Sequence, residues 1–493
     1  MKRFGRWIFF AAANLLWLGA LAAGCEVYEV LHTRHERPAV EAYGLQRGAE
    51  TAQKNDEVIA RYASAPPEIG LDVRARESFA ALDEPARKAF VTERHECVVL
   101  CDPVGRIRSV FAASGDSAAA QFGAALASGT ELSASLPAHE RADASAALRA
   151  ALAGNAPQYR EYVVPSPTSP EYALQFTFQP YVSQGEVGVF VRDSMWEVPW
   201  QRFRKNVHQN DAYDFHTNHL GFRGGDIEVP KPPGVFRILC IGGSTTAEGL
   251  TDELTYPAML QRKLREHFHS DKIEVVNGGI FAATTGLERK RLGDYLAVQP
   301  DLLIHYNFVN DVTYQYALWA SDNGLFSLLK NRLARSLFLR HHFNMWLLPG
   351  RGTLESAIGT SVVDNIRAIL EGARTAKAEM AICSFACPDV GHVPAEDIDY
   401  FNLRLDSMIA QSTLDIRGYA QVVETYNGLI RDLCRREQLI YVPVSEELRG
   451  GTELFTDICH LRPWAIERKA EAVFRAIRDH VSARLSTGPE QRP

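Results

Sequence analysis

Cysteine is scarce, eight in 493 residues, and no group of them shows the spacing of a zinc site. There is no glycine-rich phosphate loop and no dinucleotide fingerprint. Any excess of one sign of charge is also small. A net charge of −7 over this length, with no basic stripe carrying interleaved aromatics, argues against a nucleic-acid partner. No metal and no cofactor are expected from these absences. What remains, 46% hydrophobic and 23% charged residues, is the composition of a globular protein with ample core, and the length implies two or three domains.

The informative stretch runs from Val235 to Thr246, where the apolar segment Phe236-Arg237-Ile238-Leu239-Cys240-Ile241 delivers Ser244 onto the turn Gly242-Gly243. A hydroxyl held at a strand end is placed for nucleophilic chemistry, although a helix N-cap would look the same. Near the C-terminus Asp457 precedes His460 by three residues, so a carboxylate can orient one ring nitrogen while the other faces outward as a base. Two further strand ends fall between them. Lys272-Ile273-Glu274-Val275-Val276-Asn277-Gly278-Gly279 closes in glycines that let backbone N–H groups approach a reacting oxygen, and a strand read from Pro300 to Asp311 ends in two side chains able to hydrogen-bond, among them Asn310, whose amide can donate. Read singly, each is ordinary turn chemistry.

In the order Gly243-Ser244, Gly279, Asn310 and Asp457 to His460, these blocks resemble the SGNH hydrolase superfamily, the GDSL-like lipases and esterases, over about residues 215–485. The resemblance implies a nucleophilic Ser244, activated by His460 and oriented by Asp457. It implies an oxyanion hole of the Ser244 N–H, the Gly279 N–H and the Asn310 amide. Phe308 stands where many members have glycine, and Phe281-Ala282 replaces a common Pro-Gly; both departures bear on substrate shape. Strands at about 380–385 and 439–444, alternating with helical patterns, predict a doubly wound, mainly parallel three-layer α/β sheet with the site at its strand C-termini. This domain is expected at 205–488, entered through Asn218-His219-Leu220-Gly221-Phe222-Arg223, a run similar to one found in membrane-associated relatives.

At the other end, Lys2, Arg3 and Arg6 precede an uncharged run from Trp7 to Gly24, close to the ~17–25 residues that span a bilayer as a helix. With Glu26 and Glu29 following, the charge asymmetry places the bulk of the chain outside the cytoplasm, periplasmic or at the cell surface. Residues 1–25 are read as a signal anchor or signal peptide, with a lipoprotein signal at Cys25 as the alternative. Residues 26–92 read as a polar helical connector without a coiled-coil repeat, a stalk. Residues 93–197 give two strands, several helices and three further strands, an α+β pattern that resembles a PAS domain through Asp102 to Gly105, Gly129 to Leu132, and Gly185 to Asp193. That resemblance implies a sensory module with a small-ligand or protein partner; the plain alternative is a packing domain that binds nothing. His139 is a conceivable ligand to haem or metal, although beside Glu140 it reads more simply as a surface residue.

Residues 324–349 interleave Leu325, Phe326, Leu328, Phe338 and Trp346 with Lys330, Arg332, Arg335 and Arg340. Such a basic amphipathic insertion suits a lid, a rim for an anionic polymer or a membrane-lying surface; two packed amphipathic helices are the simpler reading. Cys97 and Cys101 lie ~13 Å apart on an extended strand, too far to bridge, whereas Cys383 and Cys387 could pair across a turn. Three functions follow: an extracytoplasmic serine esterase acting on O-acyl substrates such as an O-acetylated surface glycan, an O-acyltransferase with the same residues, or a PAS-type sensor whose hydrolase fold only binds.

Overall fold

The computed structural model describes residues 2–94, 96–114, 117–164, 172–181, 185–197, 202–319, 336–408 and 414–486, without the side chains of 2–22, 172 and 344–347. It divides into two compact units, Met1–Pro66 with Ile227–Pro493, and Pro67–Asp226. This differs from the expected boundaries at both ends of the smaller domain. Residues 26–66 of the connector belong with the first of these units, and residues 205–226 do not.

The reason lies in side chains that the connector presents to the first unit. Helix Lys2–Glu50 sends Tyr43 Oη to Asp397 Oδ1 (2.7 Å) and Arg47 Nε to Thr452 Oγ1 (3.1 Å). A Cβ at Gly44 would fall 2.1 Å from the Tyr400 ring, so glycine is what allows that helix to approach so closely. Helix Ala52–Tyr62 buries Val58 and Tyr62, four apart on one face, and Tyr62 donates to Glu467. Among the described residues no helix is long and apolar enough to cross a membrane; the side chains of the expected anchor up to Ala22 lie outside them.

In the second unit, β1 (Cys97–Cys101) and β2 (Ile107–Ala112) form a hairpin whose turn is held by Asp102 Oδ1, accepting from Val104 N and Arg106 N, with Gly105 at φ 91°. With β3 (Gln158–Val164), β4 (Tyr172–Tyr181) and β5 (Glu186–Asp193) they make an antiparallel sheet in the order β2-β1-β5-β4-β3. Cys97, Val99 and Cys101 join Phe122, Phe176 and Phe178 on one face; Val98 and Leu100 join Phe79, Phe90 and Phe190 on the other. The period of two thus buries both faces of β1. A two-stranded ribbon of β6 (His208–Asn210) and β7 (Asp214–His216) completes the unit. His139 is exposed beside Glu140, in keeping with the surface reading.

The first unit holds the expected doubly wound sheet: β8 (Phe236–Gly242), β9 (Ile273–Gly279), β10 (Leu302–Tyr306), β11 (Glu379–Cys383) and β12 (Ile440–Val442). All neighbours are parallel, in the order β12-β11-β10-β8-β9. Every residue of β8 and β10 is buried, which is why these strands read as unbroken apolar runs. The order reverses between β8 and β10, and a crevice opens at the C-terminal ends of such strands. Register aligns Gly242 with Gly279 on one side and Tyr306 on the other, at that edge.

Of the 324–349 insertion, residues 324–335 lie outside the described residues, and most of the rest is helix Leu337–Leu347. Its start is capped by Glu26, which accepts from Ser336 Oγ (2.5 Å), Leu337 N (2.9 Å) and Phe338 N (3.2 Å), while Glu29 meets His341 at 2.8 Å. The described part is therefore a packed helix. Cys383 and Cys387 do not pair; all eight cysteines are free thiols.

Candidate active site

Strand β8 ends at Gly242 because no side chain fits there: a Cβ would lie 2.3 Å from Tyr306 O and 2.1 Å from Thr246 Oγ1. Gly243 is equally constrained, by Asn310 Nδ2 at 2.7 Å from its Cβ position. The paired glycines let the chain turn from strand into the short helix Ser244–Ala247 with the Asn310 amide beside it. Ser244 is the first residue of that helix, and its N–H has no intrahelical acceptor.

His460 Nε2 lies 2.8 Å from Ser244 Oγ, and His460 Nδ1 lies 2.7 Å from Asp457 Oδ2. The other Asp457 oxygen accepts from the backbone N–H groups of Cys459 and His460, both at 2.8 Å, so the carboxylate is locked to its own turn. Burial alone would raise the Asp457 carboxyl, but the charge of His460, its ring N–H and the two backbone N–H groups outweigh it and hold the carboxyl below its usual value. Burial opposes the imidazolium of His460 in turn, yet its pKa is raised well above the ordinary one. Of the two neighbours, Asp457 is the cause. The Cys459 thiol, 3.6 Å from Nδ1, is itself pushed by burial up to about 12 and is uncharged where an imidazole titrates. Hydroxyl, imidazole and carboxylate in a hydrogen-bonded line form a nucleophile, a base and an orienting group.

Asn310 joins this group: its Nδ2 donates to Ala283 O at 2.9 Å, leaving a second amide hydrogen to give. Gly279 does not join it as a donor. Its N–H is spent on Asn277 Oδ1 at 3.1 Å, and a Cβ there would lie 2.5 Å from Ala247 N. The glycine serves the close approach of β9 to the nucleophile helix, which corrects its expected role. Phe308 is fully buried and stacks on Tyr426 with ring centroids 4.0 Å apart, so it shapes the core beneath Asn310 rather than the substrate face.

The sequence reading missed Asn307, Glu248 and Lys469. Asn307, buried below Asn310, donates to the same Ala283 carbonyl (2.8 Å) and to Glu288 Oε1 (2.9 Å). Lys469 carried a visible signal, a charge three residues after Ile466 and four before Val473 on the apolar stripe of helix Pro463–Ser486. Elsewhere, on the β6–β7 ribbon, His208, Asp214 and His216 come together. The two rings stack at 3.9 Å with planes 13° apart, and His208 Nε2 and His216 Nδ1 lie 2.9 and 3.9 Å from the same Asp214 oxygen.

Residues 240–463 match the model of the GDSL-like Lipase/Acylhydrolase family. No curated protein matches the chain. Solved structures that resemble it include LAE5, an alpha/beta hydrolase enzyme from the metagenome of Lake Arreo, at 16% identity, covering 49% of this chain and 94% of that one with a TM-score of 0.30. A variant of Axe2, an acetyl xylan esterase from Geobacillus stearothermophilus, is 17% identical over 50% of this chain and 96% of its own, with a TM-score of 0.31. TesA is 18% identical over 49% and 98%, with a TM-score of 0.29. The region from Cys240 to Pro463, a little under half of the chain, is thus similar to the GDSL-like Lipase/Acylhydrolase family.

Proposed function

We propose that the protein is an extracytoplasmic, membrane-tethered serine ester hydrolase that removes acyl groups through an acyl-enzyme, with O-acyl substrates of the O-acetyl glycan kind. The hydrogen-bonded line Ser244–His460–Asp457 carries the reading. Ser244 Oγ attacks the acyl carbonyl while His460 Nε2 takes its proton, and Asp457 holds the ring and stabilises the imidazolium. The oxyanion is met by the Ser244 N–H and the Asn310 amide; losing one such donor typically costs ~10²–10³ in turnover. His460 returns the proton to the departing alkoxide, and water then attacks the acyl-enzyme by the same route in reverse.

Support for the tether is the charge asymmetry around the run from Trp7 to Gly24, on a helix that continues to Glu50. Support for a PAS-like sensory module, with a small-ligand or protein partner, is the succession in the second unit of two strands, helices and three returning strands in one antiparallel sheet. Cleavage before Cys25 would make the tether a lipid rather than a helix.

The test uses the full chain in detergent, because residues up to Pro66 belong to the hydrolase unit. Wild-type protein should release p-nitrophenol from its acetate ester and acetate from acetylated glycans, and Ser244→Ala should release neither. Transfer to an added sugar in place of acetate release would make the enzyme an acyltransferase. Wild-type rates from Ser244→Ala would end the proposal.

A further inference from the structure

Behind the nucleophile turn lies a charge pair that the proposed reaction does not use. Glu248 follows the helix Ser244–Ala247 and is 6% exposed; Lys469, on the C-terminal helix, is 1% exposed. Lys469 Nζ donates to Glu248 Oε1 at 2.5 Å and to Thr245 O at 2.6 Å, with the Tyr256 and Tyr306 ring centroids each 4.7 Å away. The other oxygen of Glu248 accepts the Leu461 N–H at 2.9 Å. Thr245 follows Ser244 in the chain, and Leu461 follows His460. One ion pair is therefore bonded to the neighbour of the nucleophile and to the neighbour of the base.

Burying two charges is an expensive way to hold a fold, since well-packed apolar residues of similar size often do as well or better. What an apolar pair cannot do is accept the Leu461 N–H while its partner grips the Thr245 carbonyl. We infer that Glu248 and Lys469 are positioning residues that set the spacing of Ser244 Oγ and His460 Nε2, an inference that rests on the hydrolase reading above. The two catalytic loops come from distant parts of the sequence, and the pair is where they share a reference point. Misplacing a reacting group by about 1 Å can cost ~10² in rate. Because the pair is buried beneath the turn, the loss falls on kcat and leaves KM alone.

Two charge-free double variants separate positioning from stability. Glu248→Gln with Lys469→Met keeps an acceptor for Leu461 N–H; Glu248→Leu with Lys469→Met removes it. Both are measured for ester hydrolysis, for the rate at which a fluorophosphonate labels Ser244, and for thermal unfolding. The acceptor-free variant should show kcat and labelling ~10² below the acceptor-keeping one, with KM within about twofold. Equal rates in the two variants would overturn the inference, and so would failure of both to fold, which would make the pair a prop of the fold. A wild-type protein that neither labels nor hydrolyses would instead overturn the hydrolase reading.

Discussion

In the Pro67–Asp226 unit, buried charges end on one another. Arg76 and Arg192 both pair with Asp211, Arg192 also reaches Asp72 at 3.0 Å, and Glu96 lies buried among them. In the other unit, half-buried charges end on a hydroxyl. Asp457 holds His460, His460 meets Ser244, and Glu248 with Lys469 braces both loops. Both networks hold buried or half-buried charges in ion pairs, so burial of charge does not by itself mark chemistry. The distinguishing feature is a chain of pairs that terminates on a nucleophile at the open edge of a parallel sheet.

The sharpest break in this comparison should come from Asp457→Asn, which keeps the shape of the turn but offers His460 the wrong hydrogen-bonding partner. Steady-state kinetics should show kcat down by ~10⁴, with the unfolding temperature little changed. The mirror-image change is Arg76→Met, which leaves the Asp211 carboxylate with one guanidinium in place of two. Losing a hydrogen bond between charged groups typically costs ~1.5–3 kcal/mol, so denaturant unfolding should show the second unit weakened to that extent while kcat per folded molecule stays at the wild-type value.

A smaller effect should follow pH. Burial pushes the Glu96 carboxyl from 4.5 to about 7, against the partial pull of Arg192 and Arg76. The folded state thus holds this proton more tightly than the unfolded chain. The resulting stability is full below the ordinary carboxyl pKa and is lost as pH rises through about 7. Glu96→Gln should flatten the decline in unfolding temperature across that window. An unchanged slope would show that Glu96 does not titrate there.

The parallel sheet and the meeting of Ser244, His460 and Asp457 were legible because each block combines a local signal with a fixed chemical need: an apolar strand, a glycine turn, then Ser, Asn or Asp-x-x-His. The connector was misread because Tyr43, Arg47 and Tyr62 look like solvated residues of polar helices, and their partners Asp397, Thr452 and Glu467 lie far along the chain. Gly279 was misread because a glycine at a strand end serves a free N–H or a close backbone approach equally well. Only the position of Ala247 against it decides. Phe308 looked like a change at the substrate face, and only Tyr426, from helix Ile416–Glu437, shows that it stacks inward.

The central claim, that Ser244 is acylated with His460 as its base, is tested most directly by trapping the intermediate. Full-length protein mixed with p-nitrophenyl acetate and quenched in acid should carry an acetyl group on the peptide containing Ser244. Its rate of formation should rise with pH through a pKa above the ordinary imidazole value, since His460 must be neutral to take the proton and Asp457 holds it charged. Turnover with no adduct on Ser244, or acylation indifferent to pH across the imidazole range, would contradict the account.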